Sequence, residues 1–208
     1  MMMTGDAVAV EEPEGRDSLE ALSRRLALSI PGDTVRGAFF LGTLERVREG
    51  VGAAGVRRCL AAADEPRFME FFHYPLSAFL RVNEAAVAEL APELGGWSHA
   101  QRVLGRRAAV DLLSSAAGRA LLLLSRGETR RLMGNLPSVY RVAVNHGERL
   151  VQWEGAGRGR VLMRRDFMPC AFHEGLLGGL LEATHARGVS VRGLRLDVLD
   201  SEYGVAWE

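Results

Sequence analysis

Residues Leu136–Glu208, LPSVYRVAVNHGERLVQWEGAGRGRVLMRRDFMPCAFHEGLLGGLLEATHARGVSVRGLRLDVLDSEYGVAWE, read as strands, one helix and strands again. Ser138–Val144 sets Tyr140, Val142 and Val144 on one face, and Asn145-His146-Gly147-Glu148 makes a turn. Leu150–Glu154 follows, with Val151 and Trp153 sharing a face, then a glycine-rich tip and Arg160–Arg164. Beyond the helix, Leu194, Leu196 and Val198 alternate, as do Tyr203, Val205 and Trp207. Alternation at period two marks half-buried antiparallel strands with one face on a core.

The helix is Phe172–Ala186. At about 100° per residue, Phe172, Leu176, Leu177, Leu180 and Leu181 fill one half of its circumference, with Glu174, Gly178, Glu182 and His185 opposite. A strip of Gly175, Gly179, Ala183 and Ala186 separates the two. A helical glycine costs roughly 0.5–1 kcal/mol relative to alanine, so the strip asks for a close neighbour. A helix of the same chain, a second copy and a ligand are all candidates.

Upstream, the pattern is helical. Asp17 or Ser18 can cap a helix carrying Leu19, Leu22 and Leu26, and Pro31-Gly32 stops it. Asp33 is placed to cap Thr34–Glu49, whose Phe39, Phe40, Thr43, Leu44 and Val47 form a wide apolar face. A break over Gly50–Gly55, short helical pieces at Val56–Ala63 and Arg67–Phe72, and a helix Leu76–Leu90 bounded by Pro75 and Pro92 come next. Ser98 opens a helix through Leu104, which Gly105 interrupts before Arg106–Ser115; Gly118–Ser125 reads as buried, and Gly127–Met133 adds a turn or two. The expectation is an α+β fold, N-terminal helices packed on a C-terminal antiparallel sheet interrupted by one helix. The domain organisation expected is a disordered acidic tail over residues 1–16 and one domain over 17–208, with a helical part 17–135 and a sheet part 136–208.

Composition excludes several chemistries. All 26 basic residues are arginine. A chain without lysine has no Schiff base, no P-loop lysine and no pyridoxal anchor. With 26 acidic residues the net charge is +0, so no basic field recruits nucleic acid. No apolar run is long enough to span a bilayer, and the N-terminus lacks signal-peptide character, which points to the cytoplasm. Two cysteines, Cys59 and Cys170, make no disulfide framework.

Candidate site residues are few. Gly155-Ala156-Gly157-Arg158-Gly159 leads into a strand rather than a helix, so it reads as a hairpin tip and not a phosphate loop. His173 falls inside the leucine arc, where it is either a satisfied core histidine or a ligand contact. Cys170, three residues earlier, is too little for a metal site. Phe71-Phe72-His73-Tyr74-Pro75 is either a helix corner or an aromatic pocket wall. No nucleophile elbow and no paired carboxylates occur, so no catalytic residue and no metal ligand is expected. The candidate ligand-lining residues are Phe40, Phe72, His73, Tyr74, Tyr140, Trp153 and His173.

Two stretches, Arg36-Gly37-Ala38-Phe39-Phe40-Leu41-Gly42-Thr43-Leu44-Glu45 and Leu136-Pro137-Ser138-Val139-Tyr140 on to Trp207, resemble an uncharacterised paralogous family from myxobacteria. Over Asp33–Glu208 the order of elements is also similar, more distantly, to a superfamily of heme-NO-binding domains, vinyl-reductase-type ligand-binding domains and trafficking-complex subunits. That resemblance implies the fold and an internal cavity between helices and sheet. Heme-NO-binding domains carry a proximal histidine on the helix before the sheet and a Tyr-x-Ser-x-Arg motif on a strand. Here Gly118–Ser125 and Gly127–Asn135 hold no histidine, and the comparable strand reads Trp153-Glu154-Gly155-Ala156-Gly157. No cofactor is therefore expected. The function expected is a non-catalytic cytosolic sensory or regulatory module binding a small apolar ligand or a protein partner. The alternatives are a dimeric scaffolding subunit without a small-molecule ligand, and a heme- or metal-based redox or gas sensor. A homodimer is among the partners expected; nucleic acid and a membrane span are not.

Overall fold

The structure, a computed structural model, describes residues 16–208. Its elements in order are α1 (Arg16–Leu28), β1 (Thr34–Arg36), α2 (Gly37–Ala63), β2 (His73–Pro75), α3 (Leu76–Leu94), α4 (Trp97–Ser114), α5 (Ala116–Ser125), α6 (Thr129–Gly134), α7 (Leu136–Ala143), β3 (Glu148–Gly155), β4 (Arg158–Arg164), α8 (Cys170–Glu182), β5 (Ser190–Arg195) and β6 (Ser201–Ala206). The chain is thus α+β, with its helices first and an antiparallel sheet, interrupted by α8, at its C-terminal end. Of the tail expected over residues 1–16, Arg16 opens α1 and the rest lies outside the described residues, as do the capping side chains of Asp17 and Ser18. Among the described residues no single helix is long and apolar enough to cross a membrane.

The four-stranded sheet runs in the order β3-β4-β6-β5, every pair antiparallel. Register sets Val151, Val161, Tyr203 and Gly193 in one row across it. The inner face of β4 and β6 buries Val161, Met163, Tyr203 and Val205, while Arg158, Arg160 and Arg164 point outward, as period two requires. Gly193 completes the inner row without a side chain. A Cβ there would stand 2.9 Å from both Cys170 Cβ and Tyr203 Cε1, so its absence lets the start of α8 settle onto the sheet.

On its other side α8 packs against α4, and here the small-residue strip finds its neighbour. A Cβ on Gly175 would come within 2.0 Å of the Arg102 carbonyl oxygen, and one on Gly105 within 1.8 Å of the Phe172 carbonyl oxygen. A Cβ on Gly179 would be 2.9 Å from Ala109 Cβ. The strip therefore faces a helix of its own chain. Gly105 does not interrupt anything: α4 is continuous from Trp97 to Ser114, and the glycine marks where two backbones touch.

Several local expectations are overturned. Ser138–Val144 is not a strand but most of α7: Leu136, Val139, Tyr140 and Ala143 are buried at i, i+3, i+4 and i+7, and Pro137 sits in the first turn, where its missing N–H costs nothing. Asp33 caps no helix. Its carboxylate accepts two hydrogen bonds from Arg165, both at 2.8 Å, and the residues after it form β1. Arg67–Phe72 is a loop whose Phe72 and Glu70 carbonyls accept from Gly37 N and Ala38 N, satisfying the first turn of α2 that lacks a side-chain cap. Pro92 does not close α3, which runs on to Leu94. In α5, Leu121 is buried but Leu123 and Leu124 are 79% and 75% exposed. β5 stops at Arg195, leaving Leu196 and Val198 exposed in a turn.

Two links fasten the sequence-remote ends of the helical and sheet parts. Arg165 reaches Asp33 as above, and Asn145 donates to the Gly32 carbonyl and accepts from Thr34 N, both at 2.8 Å. Val35 also bridges Val144.

The α4–α8 contact is testable. Gly105→Ala or Gly175→Ala should lower the denaturation midpoint by an overpacking cost of about 1–3 kcal/mol. Gly178→Ala, whose Cβ meets only Arg106 Nη2 at 3.9 Å, should raise it through helix propensity, by about 0.5–1 kcal/mol. Equal effects at the three positions would mean the helices do not touch there.

Candidate functional site

The site grows from one loop. After β4, Arg165 takes a left-handed φ of 50° and turns the chain so that Asp166 points inward. Asp166 N donates to the Leu199 carbonyl at 2.8 Å, which fixes the loop to the turn between β5 and β6. Pro169 then opens α8, and one turn in, His173 comes back over the carboxylate. Its Nε2 donates to Asp166 Oδ1 at 2.6 Å, and Met168 N donates to the same oxygen at 3.0 Å. Arg149, near the start of β3, donates from Nη2 to Asp166 Oδ2 and from Nη1 to the His146 carbonyl. The guanidinium also lies 4.5 Å over the ring of Tyr140. Tyr140, presented by α7, closes the set: its hydroxyl hydrogen-bonds Nδ1 of His173 at 2.9 Å.

This cluster is buried, with 4% of the Arg149 side chain and 2% of the Asp166 side chain exposed. Burial alone would push the Asp166 carboxyl up. His173, Arg149 and the hydrogen bonds it accepts outweigh that and hold it well below the usual carboxylate range. Burial pushes the Tyr140 phenol up, the Asp166 charge adds to the shift and Arg149 opposes it, so the hydroxyl keeps its proton. Beside the cluster, His146 is pushed down chiefly by burial, and stays a neutral imidazole edge-on to Phe167 at 5.3 Å.

Above the cluster lies a cavity of about 40 Å³ between α2, α3, α4, α7 and α8. Phe39, Leu76, Phe79, Leu112 and Leu176 supply its apolar walls, and Tyr140, His146, Arg149, Asp166 and His173 line it as well. His146 Nδ1 and Arg149 Nε are buried there without a hydrogen-bond partner among the described residues.

Of the sequence-derived candidates, Tyr140 and His173 meet at this site. Phe40 and Tyr74 stand one layer behind it, in an aromatic cluster with Phe68 and Phe79 in which Phe40 and Phe68 stack at 4.1 Å. Phe72 is 58% exposed and His73 is exposed as well, because β2 lies at the surface rather than in a corner between helices. Trp153 packs edge-on against Trp207 with Arg130 over its ring, at the margin of the sheet and away from the cavity. His146, Arg149 and Asp166 escaped the sequence reading. The Asn145-His146-Gly147 turn was the only signal near them.

Helices laid over an antiparallel sheet with one helix inserted between its strands make an α+β fold that solved H-NOX proteins also have. The chain shares that fold with an H-NOX protein from K. algicida at a TM-score of 0.65 and 14% identity, covering 83% of this chain and 96% of that one. It matches an H-NOX protein from S. oneidensis in its Fe(II)NO ligation state at 0.64 and 13%, covering 83% and 99%. The IWP-051-bound H-NOX from Shewanella woodyi, in the Fe(II)CO state, matches at 0.61 and 14%, covering 82% and 93%. By sequence the chain belongs to the DUF2378 family, described as a protein of unknown function, over residues 28–208. No curated protein matches it.

The H-NOX neighbours hold iron, so fit to a heme can be judged here. α7, the helix before the sheet, offers Tyr140 and no histidine. Both ring nitrogens of His173 are taken, and a 40 Å³ cavity is several-fold smaller than the roughly 300 Å³ at which ligand pockets begin. The residues present do not fit a heme. Among the described residues, no group of three or more His, Cys, Asp or Glu is placed to hold a metal ion either.

Three outcomes check this site. Asp166→Asn should cost about 3–5 kcal/mol by leaving the Arg149 charge buried and unpaired, read as a shift in chemical denaturation. A depressed carboxyl pKa contributes stability that is present above about pH 4 and lost as pH falls through the folded value; the depressed His146 pKa adds a loss that begins higher, near pH 6.5. His146→Phe should therefore remove the upper part of the acid limb and leave the lower part. Protein purified from heme-supplied cells should show no Soret band; a stoichiometric one, lost in His146→Phe, would overturn the fit argument.

Proposed function

We propose that the chain is a non-catalytic, cytoplasmic sensory or regulatory module that binds a small, largely apolar ligand in the cavity between its helices and its sheet. The observation that carries this reading is the cavity itself, an apolar space of about 40 Å³ beside the buried Asp166 cluster, which suits a ligand much smaller than those of ordinary pockets. Structures of the same fold are known in Fe(II)NO and Fe(II)CO ligation states, so the fold can enclose a small ligand, which supports the reading by analogy. The Tyr140–His173–Asp166 chain has the look of a proton relay, yet each of its links is closed by another protein group and none is left to meet a substrate. A binding role suits it better than a catalytic one.

A second reading, a dimeric scaffolding subunit, has its own support. Met69, Phe71 and Phe72 are 48%, 70% and 58% exposed, and Leu123 and Leu124 are more exposed still. Exposed apolar residues of this size are the raw material of an interface.

Methyl NMR of the protein under ethane separates the two. The ligand reading expects saturable shifts confined to Leu76, Leu112 and Leu176, abolished when Ala108→Leu fills the cavity. If ethane shifts nothing there while native mass spectrometry finds a dimer, the scaffolding reading replaces it.

A further inference from the structure

Exposed apolar surface and unpaired positive charge coincide on one helix face. α5 buries Gly118, Leu121 and Ser125. At about 100° per residue, the face opposite carries Ala116, Arg119, Ala120, Leu123 and Leu124, and all five are exposed. Leu123 and Leu124, at 79% and 75%, are the most exposed large apolar side chains among the described residues. Neither lines the cavity of the ligand reading.

The chain carries no net charge, but its charges are unevenly spread. From Leu112 to Gly147 there are five arginines, Arg119, Arg126, Arg130, Arg131 and Arg141, and a single acid, Glu128, a surplus of four. All five arginines are exposed. Arg131 pairs with Glu128 at 2.9 Å, and the other four have no carboxylate partner among the described residues. Arg119, Arg130 and Arg141 reach only neutral oxygens, those of Ser114, Gly155 and Ser138. Two of the cations adjoin the leucines directly. Arg119 stands one helical turn before Leu123, and Arg126 caps α5 with its N–H on the Leu123 carbonyl at 3.3 Å.

Three kinds of partner could cover such a face. A second copy of the chain would set the same arginines against these in a two-fold contact, and like charges oppose it. An acidic protein would satisfy the charge, but it would also have to supply a fitted recess for two projecting leucines. An anionic bilayer satisfies the charge and needs no fitted shape: leucines enter the boundary between headgroups and acyl chains while arginines stay among the phosphates. We propose that the outer face of α5, with Arg119 and Arg126, is a site of peripheral contact with an anionic lipid surface, Leu123 and Leu124 being the inserted side chains. So short a face gives reversible, salt-sensitive attachment rather than anchoring. The contact is independent of any ligand in the cavity and goes beyond that reading.

The test is co-flotation of the full-length protein with phosphatidylcholine vesicles, pure or with about 30% phosphatidylserine. The acidic vesicles should bind about tenfold more tightly, and salt should remove the difference. Leu123→Ser combined with Leu124→Ser should weaken binding about tenfold or more. Arg119→Gln combined with Arg126→Gln should weaken binding to the acidic vesicles by a similar factor and leave the neutral ones unchanged. Phe71→Ser, at an apolar position 70% exposed elsewhere on the surface, should change neither. If acidic vesicles bind no better than neutral ones, or the doubly serine-substituted protein binds as well as the parent, the lipid contact is wrong. Native mass spectrometry showing a dimer that the serine substitutions break, without vesicle binding, would assign the face to a second copy. Polyglutamate bound more tightly than the acidic vesicles would assign it to an acidic protein. None of these results bears on ethane in the cavity, so the two readings fail separately.

Discussion

Everything at the junction of helices and sheet depends on the carboxylate of Asp166. It sits in a loop, but it binds Arg149 of β3 and His173 of α8, and through His173 it reaches Tyr140 of α7. A buried charge without partners would be prohibitive, and a buried ion pair is tolerated only when its remaining hydrogen-bonding capacity is met. Here that condition positions three elements at once. The bond from Met168 N adds a fourth constraint, because it shapes the loop that launches α8. The network contributes little net stability if such pairs behave as elsewhere. What it supplies is a single allowed arrangement of β3, α7 and α8 around one point.

The sheet was legible in the sequence because its two inner strands alternate cleanly, and the β3–β4 hairpin because its glycine tip leads into a strand. The helix α7 was not. Tyr140, Val142 and Val144 satisfy a two-residue period, while Leu136, Val139, Tyr140 and Ala143 satisfy a helical one over the same short span. Only Pro137 argued otherwise. The glycine strip on α8 showed that something lay close, and the structure supplies the answer in Gly105 of α4, a glycine that looked like a break. Read alone, Gly105 suggested an interruption; read with Gly175 and Gly179 it is half of one contact.

The site was half legible for a similar reason. His173 stood out because a histidine inside a leucine arc breaks the pattern of its helix, and Tyr140 because it led the alternating face of the expected strand. Asp166 and Arg149 lie where nothing is periodic, and in a chain whose cations are all arginine one more arginine carries no signal. Their pairing is a product of the β3–β4 register, which places Arg149 opposite Met163, three residues before the acid. Pairing of that kind cannot be read along a chain. Arginine nonetheless suits the position: one guanidinium spans a carboxylate, a backbone carbonyl and an aromatic face, which a lysine ammonium could not do together.

The fastening of Asp33 to Arg165 bears on cooperativity. It joins residues 132 positions apart, at the entrance to the helical part and the exit of the hairpin. Together with Asn145 it means that the sheet cannot loosen without freeing the segment that starts α2, and the helices cannot part without uncovering the sheet. A protein so tied has no soft seam at residue 135. Local opening there would have to break the same bonds as global unfolding, so slow hydrogen exchange should extend across both parts as one unit.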